Sequence, residues 1–291
     1  MEDSSDATNS RNKSVFEYAV HATVNGDSHA LKTLITQNPD LVKARSERDH
    51  HATLLHYIAA NGVEDENQKT PQNAVEITKI LLDAGSEVDA LADVYGGQHT
   101  TMSLLVSSCH PAKAGVQVEL VNTLLDYGAQ LEGFGSGNWV SPLMSTLAFG
   151  YLSVAKNLVE RGAKVNNVAT AAGLGLVEET NRLYTKADSE SRHRALVLAA
   201  QMGHTEVVRL LLDLGEDPNR YNPDGNHAHS TPLHQAAIEG HLDVVKLLTE
   251  LGARIDLKDK LWDGTPLDWA VYADKKEVAD FLNSLESEIP D

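Results

Sequence analysis

The amino-acid sequence predicts an all-α repeat solenoid of about eight helix-turn-helix units, and three observations lead there. Glycine falls twice per unit: between the helices at Gly26, Gly62, Gly150, Gly175, Gly203 and Gly240, and after the second helix at Gly85, Gly128, Gly162, Gly215 and Gly252. Second helices carry apolar residues three and four apart, as in Val118, Val121, Leu124 and Leu125, or Val207, Val208, Leu211 and Leu212. The stretch Ser230 to Arg254 spells one helix, a Gly turn, a second helix and a Gly-Ala stop, and degraded copies recur along the chain. No such pair of helices buries its apolar stripe alone; stacking buries it.

The units run about 14–44, 49–90, 93–132, 136–166, 167–188, 191–224, 227–259 and 262–287, as one domain over 14–288. Residues 1–13 form a polar, acidic tail that is expected to be disordered. The intervals Gly128–Gly162 and Gly215–Gly252 each fit one unit of about 33 residues. Gly162–Gly215 is too long, and Gly175 resolves it into two compressed units. Ser141-Pro142, Thr231-Pro232 and Thr265-Pro266 each place a capping hydroxyl before a proline at the first helical position. The first and last units are irregular, as end caps with an unpaired outer face must be.

Composition narrows the partners. Lys and Arg number 24 against 42 Asp and Glu, a formal charge of -18, which repels phosphate backbones and anionic lipid. Nucleic acid and membrane are therefore excluded, and a basic or mixed protein surface is favoured. Cys109 is the single cysteine, so no internal disulfide forms and a cytoplasmic setting is expected. The N-terminus has no secretion-signal pattern, and no apolar run is long enough to span a bilayer.

Thr231-Pro-Leu-His234, with variants at Thr53–His56, Ser141–Met144 and Thr265–Asp268, and the Gly-His turns at Gly203-His204 and Gly240-His241, resemble the ankyrin repeat proteins, in a stand-alone, bacterial-type form. The resemblance covers roughly 14–287 and is clearest over 191–288. It implies an L-shaped stack in which β-hairpin fingers and inner helices frame a concave groove. That fold hosts mainly binding proteins. Two departures stand out. Asn61–Pro71 and Cys109–Gly115 lengthen the inter-helix turn of adjacent units, so they should lie side by side, either as tolerated drift or as a paired flap.

The histidines, 13 in all, divide into classes. His56 and His234 at the motif position, and His204 and His241 after turn glycines, read as struts tying neighbouring backbones together. Aligned finger positions carry His51, Gln98, Trp139, Arg192, His229 and Asp263, flanked by His50, His99, His193 and Trp262. These large groups, together with Arg194, Tyr57 and Trp269, are the candidate partner-binding residues, with Trp139, Tyr57 and Trp262 as hot spots. A metal site is not expected, because fingers sit too far apart for three ligands to converge. No cofactor is expected either: Gly133–Gly137 lacks the lysine of a phosphate loop, and Gly173-Leu-Gly175 follows no strand.

Two functional readings are compatible with these residues. The leading one is a monomeric protein-interaction module binding through its concave face. The alternative is a small-molecule pocket or non-metal acid–base enzyme in the 50–195 groove, with His50, His51, His99 and His193 as candidate acids or bases. No nucleophile motif supports the enzyme.

Overall fold

A computed structural model describes residues 15–132 and 141–287. They fall into two compact units, Met1–Thr146 with Glu160–Ala163, and Leu147–Val159 with Lys164–Asp291. Helices α7 (Pro142–Ala148) and α8 (Leu152–Glu160) contribute residues to both.

The first unit begins with a helix over 15–25 (α1) and α2 (Ser28–Gln37), whose first turn is capped by the Asp27 carboxylate accepting from the Ala30 amide. A 3-10 turn, Leu54–Ala59, stands where the sequence predicts the first helix of the second repeat, and all six of its residues are buried. It packs against α3 (Ala74–Asp83) and α4 (Thr101–Leu105), while α2, α3 and α6 (Gln117–Asp126) form a neighbouring row. Leu54, Leu55, Ile77, Leu81, Leu104, Leu120 and Leu124 fill the space between. Strands β1 (Leu91–Val94) and β2 (Gly97–Thr100) pair antiparallel into one finger, turned by Tyr95 and Gly96 at φ 52° and 75°. Positive φ at both central residues is the turn whose twist matches the strands it joins.

The second unit alternates two rows. Helices α9 (Val168–Gly173), α11 (Ser189–Gln201), α13 (Pro232–Glu239) and α15 (Pro266–Tyr272) are successive neighbours in one row. Helices α10 (Val177–Tyr184), α12 (Thr205–Asp213), α14 (Leu242–Glu250) and α16 (Lys276–Glu286) follow each other in the second. Small side chains such as Ala199, Ala200, Ala236 and Ala237 let the first row approach closely, and Val207, Val208, Leu211, Val244, Val245 and Leu248 close the core behind it.

The expected struts are present. In both Thr53–His56 and Thr231–His234 the threonine amide donates to histidine Nδ1, at 3.1 and 3.3 Å. Nδ1 is thereby the acceptor, so Nε2 carries the proton and donates to the next finger, to His99 O at 3.3 Å and Gly264 O at 3.1 Å. At Thr265–Asp268 the aspartate accepts from the Thr265 amide at 2.8 Å and, being an acceptor only, has no N–H to donate onward.

Three expectations change. The segment Cys109–Lys113 is a short helix, α5, rather than an extended turn. The 61–71 insertion contains its own 3-10 turn, Asp65–Asn67, and the residues leading into the two insertions are bonded, Asn61 Nδ2 donating to Ser107 Oγ and Ser108 Oγ to Ala60 O. The finger expected around Arg192 is absent. The Asp188 carboxylate accepts from the Ser191 amide at 2.7 Å and starts α11 there, so Arg192, His193 and Arg194 are helical.

Candidate interaction surface

In the first unit, His50, Tyr57 and Glu64 form one network. The Ala52 amide donates to His50 Nδ1 at 3.0 Å, so Nε2 holds the proton and donates to Glu64 Oε1 at 2.9 Å. Arg48 Nε lies 2.8 Å from the same oxygen, Tyr57 Oη donates to it at 3.3 Å, and Asn67 Nδ2 reaches Oε2 at 3.1 Å. Burial alone would raise the Glu64 pKa; the bonds from Asn67 and His50 and the Arg48 charge outweigh it and hold the carboxyl below its usual value. Burial, then the Glu64 charge, pushes the Tyr57 phenol well up. Glu64 comes from the 61–71 insertion, which therefore supplies the acid of a structural network. Sequence reasoning passed over it; the signal was the Glu64-Asp-Glu66 run inside that insertion.

Tyr57 is a correction. Its side chain is 0% exposed and packs edge-on to Phe16 and His50, so it offers no surface to a partner. The remaining candidates of this unit lie at the hairpin. His51 pairs with Asp93 at 3.0 Å, exposed to solvent. Gln98 is exposed on β2 and reaches Asp93 Oδ1 at 3.4 Å. His99 Nδ1 stands 3.4 Å from Ser103 Oγ, and burial lowers its pKa. Trp139 lies outside the described residues.

In the second unit, Arg192 is held by α11 and its neighbours rather than presented at a finger tip, and Arg194 is bonded beside it. Arg192 donates to Tyr184 O at 3.0 Å with its guanidinium over the Tyr184 ring, and Arg194 bonds Glu190 and Asp224 O. His193 is fully buried, with Nε2 at 3.1 Å from Arg220 O; burial, aided by the Arg220 charge, lowers its pKa to about 4, so it stays neutral. All four candidate acid–base histidines are thus engaged by structural partners.

The structure does gather three predicted residues into one place. His229 lies edge-on to Trp262 at 5.0 Å and tilted against Trp269 at 5.6 Å, and the two indoles are 6.0 Å apart. Trp269 is a core residue, 8% exposed, whereas Trp262 is 70% exposed. The residue that organises them, Asp259, went unnoticed in the sequence. Its Oδ1 accepts from the Leu261 and Trp262 amides, both at 2.8 Å, and its Oδ2 from the Gly264 amide and Trp269 Nε1, both at 3.0 Å. Burial would raise its pKa, but these four donors lower it to about 2. The finger Asp259–Gly264 is therefore a loop wound around one carboxylate, with Trp262 fixed at its tip. Between this finger, α13 and α15 lies a recess of about 570 Å³ lined by Ile238, Trp262, Gly264, Trp269, Tyr272 and the carboxylates of Asp263 and Asp268. Leu261, Val271 and Tyr272, the last 88% exposed, extend the unburied apolar surface of this finger and helix.

Comparison with known proteins agrees with this architecture. The family model for ankyrin repeats (three copies) matches residues 168–260 and 226–290. Human cyclin-dependent kinase 4 inhibitor B is 33% identical over 133 residues, 44% of this chain and 94% of that protein. Human cyclin-dependent kinase inhibitor 2A is 35% identical over 121 residues, 40% of this chain and 75% of that protein. Ankyrin repeat and KH domain-containing protein mask-1 of Caenorhabditis elegans is 27% identical over 215 residues, 71% of this chain but 8% of that protein's length. Among the described residues no helix is long and apolar enough to cross a membrane, and no cluster of His, Cys, Asp and Glu is arranged to hold a metal ion. With its Thr-Pro-Leu-His struts, paired helical rows and near full-length alignment to such a relative, the chain belongs to the ankyrin repeat proteins.

Proposed function

We propose that this chain is a protein-interaction module that docks a partner polypeptide on the face formed by the finger Asp259–Gly264 and helices α13 and α15. The observation that carries the reading is Trp262: a large aromatic left 70% exposed on a loop that a buried carboxylate holds rigid. Exposed but preorganised tryptophans are the side chains that dominate interface energetics, because little entropy is lost when they are covered. His229 and Tyr272 flank it and belong to the same contact. The relatives named as cyclin-dependent kinase inhibitors support a protein as the target class. A basic or mixed partner surface follows from the acidic chain. A monomeric, cytoplasmic chain with a single repeat domain over 14–288 completes the proposal.

The test compares wild type with Trp262→Ala. Partners captured by the wild type are purified and titrated against both proteins by calorimetry, after far-UV circular dichroism and thermal melts show the variant folded. Loss of at least about 2 kcal/mol of affinity is expected. Equal affinity would move the docking face elsewhere.

A further inference from the structure

We infer that the recess beside Trp262 receives an arginine side chain of the partner polypeptide. This rests on the docking role proposed above and names the chemistry recognised there. Three aromatic side chains, Trp262, Trp269 and Tyr272, line the recess together with Asp263 and Asp268. A recess lined by aromatic rings and carboxylates is complementary to a cation: ring quadrupoles attract the charge, and carboxylates accept its hydrogen bonds. Asp268 and Tyr272 are four residues apart on α15 and so share one helix face. Asp268 caps that helix through Oδ2, with bonds from the Thr265 amide and hydroxyl at 2.8 Å each, and a carboxylate retains a second oxygen for another donor.

Arginine fits better than lysine. Its guanidinium stacks flat on an indole while its edge presents forked donors to a carboxylate; an ammonium does neither as well and costs more to dehydrate. An internal cation already occupies the rim. Lys258 Nζ lies 2.7 Å from Asp263 Oδ2, in a pair more than half exposed on both sides. Such a pair is weakly held in water and yields readily to a better-placed cation. The overall charge of -18 draws basic segments toward the chain from a distance.

The experiment titrates the full chain with four acetylated dodecapeptides of neutral Gly/Ser/Tyr background. Their central residue is arginine, lysine, citrulline or norleucine. Binding is followed at 50 mM salt by the indole N–H resonances of Trp262 and Trp269. The arginine peptide is expected to bind about tenfold more tightly than the citrulline peptide and to shift both indole signals; tenfold corresponds to about 1.4 kcal/mol. Trp262→Ala and Asp268→Asn should each abolish that preference, the latter while retaining an acceptor for the helix cap. Lys258→Gln should strengthen arginine binding severalfold. Equal binding of arginine and citrulline peptides, still lost in Trp262→Ala, would overturn the cation site and leave protein docking standing. Binding that leaves both indole signals unmoved would overturn both. No binding of any peptide up to millimolar concentration, or a dimer in sedimentation that Trp262→Ala dissolves, would equally remove the arginine proposal.

Discussion

Gly203 and His241 are matched across consecutive repeats: a Cβ placed on Gly203 would stand 2.7 Å from His241 Nδ1, while His241 Nε2 is 2.9 Å from Gln201 O. The same relation joins Gly175 to His204, whose Nε2 lies 3.1 Å from Gly173 O. The turn glycine is therefore required twice over. Its φ of +77° is one L side chains rarely adopt, and the missing side chain is the seat of the next repeat's imidazole. This is how one repeat sets the position of its neighbour.

Substitution separates the two requirements. Gly203→Ala must bear both the left-handed backbone, about 1–2 kcal/mol, and the displaced His241. Gly215 has a φ of +95° with nothing within 4 Å of its would-be Cβ, so Gly215→Ala bears the backbone cost alone. Urea unfolding should place Gly203→Ala below Gly215→Ala by at least about 1 kcal/mol, in the range of overpacking costs. Equal losses would show that the histidine moves aside freely.

The buried imidazoles make stability depend on pH in a definite direction. Burial lowers the pKa of His56 and His193 to about 4. In the unfolded chain they titrate near 6.5. Unfolding therefore takes up protons below that value, and stability falls as pH drops from about 6.5 to 4, by up to about 1.4 kcal/mol per pH unit for each histidine. His204 and His234, also lowered by burial, act with the same sign. The urea midpoint should be flat between pH 7 and 8 and decline steadily toward pH 5, less steeply in His193→Gln. A midpoint that is constant down to pH 5 would contradict neutral, buried histidines.

What was legible in the sequence was whatever repeats. Thr231, His234, Gly203 and the apolar pairs of α12 and α14 announce their roles because the same chemistry recurs at a fixed interval. What was hidden depended on a single unit. Counting back from a motif slot aligns Arg192 to a finger tip, but Asp188 caps α11 earlier and converts that finger into helix. Tyr57 follows the motif like Trp269 and looks like a groove residue until the 61–71 insertion is seen to bring Glu64 onto its hydroxyl. Asp259 carries no mark of its four donors in a linear string, since two of them come from residues five and ten positions away.

Glu64 gives the insertion a measurable purpose. Glu64→Gln retains one acceptor but removes the charge that Arg48, His50, Tyr57 and Asn67 converge on. A loss of about 1–3 kcal/mol is expected, the range for a partly buried charged hydrogen-bond partner. Hydrogen exchange should show faster exchange across Leu54–Ala59, whose side Tyr57 anchors, with little change in α11 to α14. If exchange at Leu54–Ala59 is unaltered, the insertion is drift and the network is ornamental to stability.

Asp259 is the sharpest test of the finger. Asp259→Ala leaves the Leu261, Trp262 and Gly264 amides and the Trp269 indole N–H without their acceptor. At about 1–3 kcal/mol for each buried donor left unpaired, the loop should open rather than bear the full cost. The expected outcome is red-shifted tryptophan emission and loss of at least about 2 kcal/mol of stability. Asp259→Asn should be nearly as damaging despite its shape, because its amide nitrogen must face donors where a carboxylate oxygen accepted them. Full tolerance, with Asp259→Asn indistinguishable from wild type in emission and melting, would mean that the loop is held by packing of Trp262, Trp269 and His229 rather than by the carboxylate. In acid, the same carboxylate keeps its stabilising effect above the unfolded value of 3.8 and loses it as pH falls toward about 2. The finger should therefore remain closed at pH 5, where the histidine-dependent loss is already well advanced, so emission and global unfolding report two separable transitions.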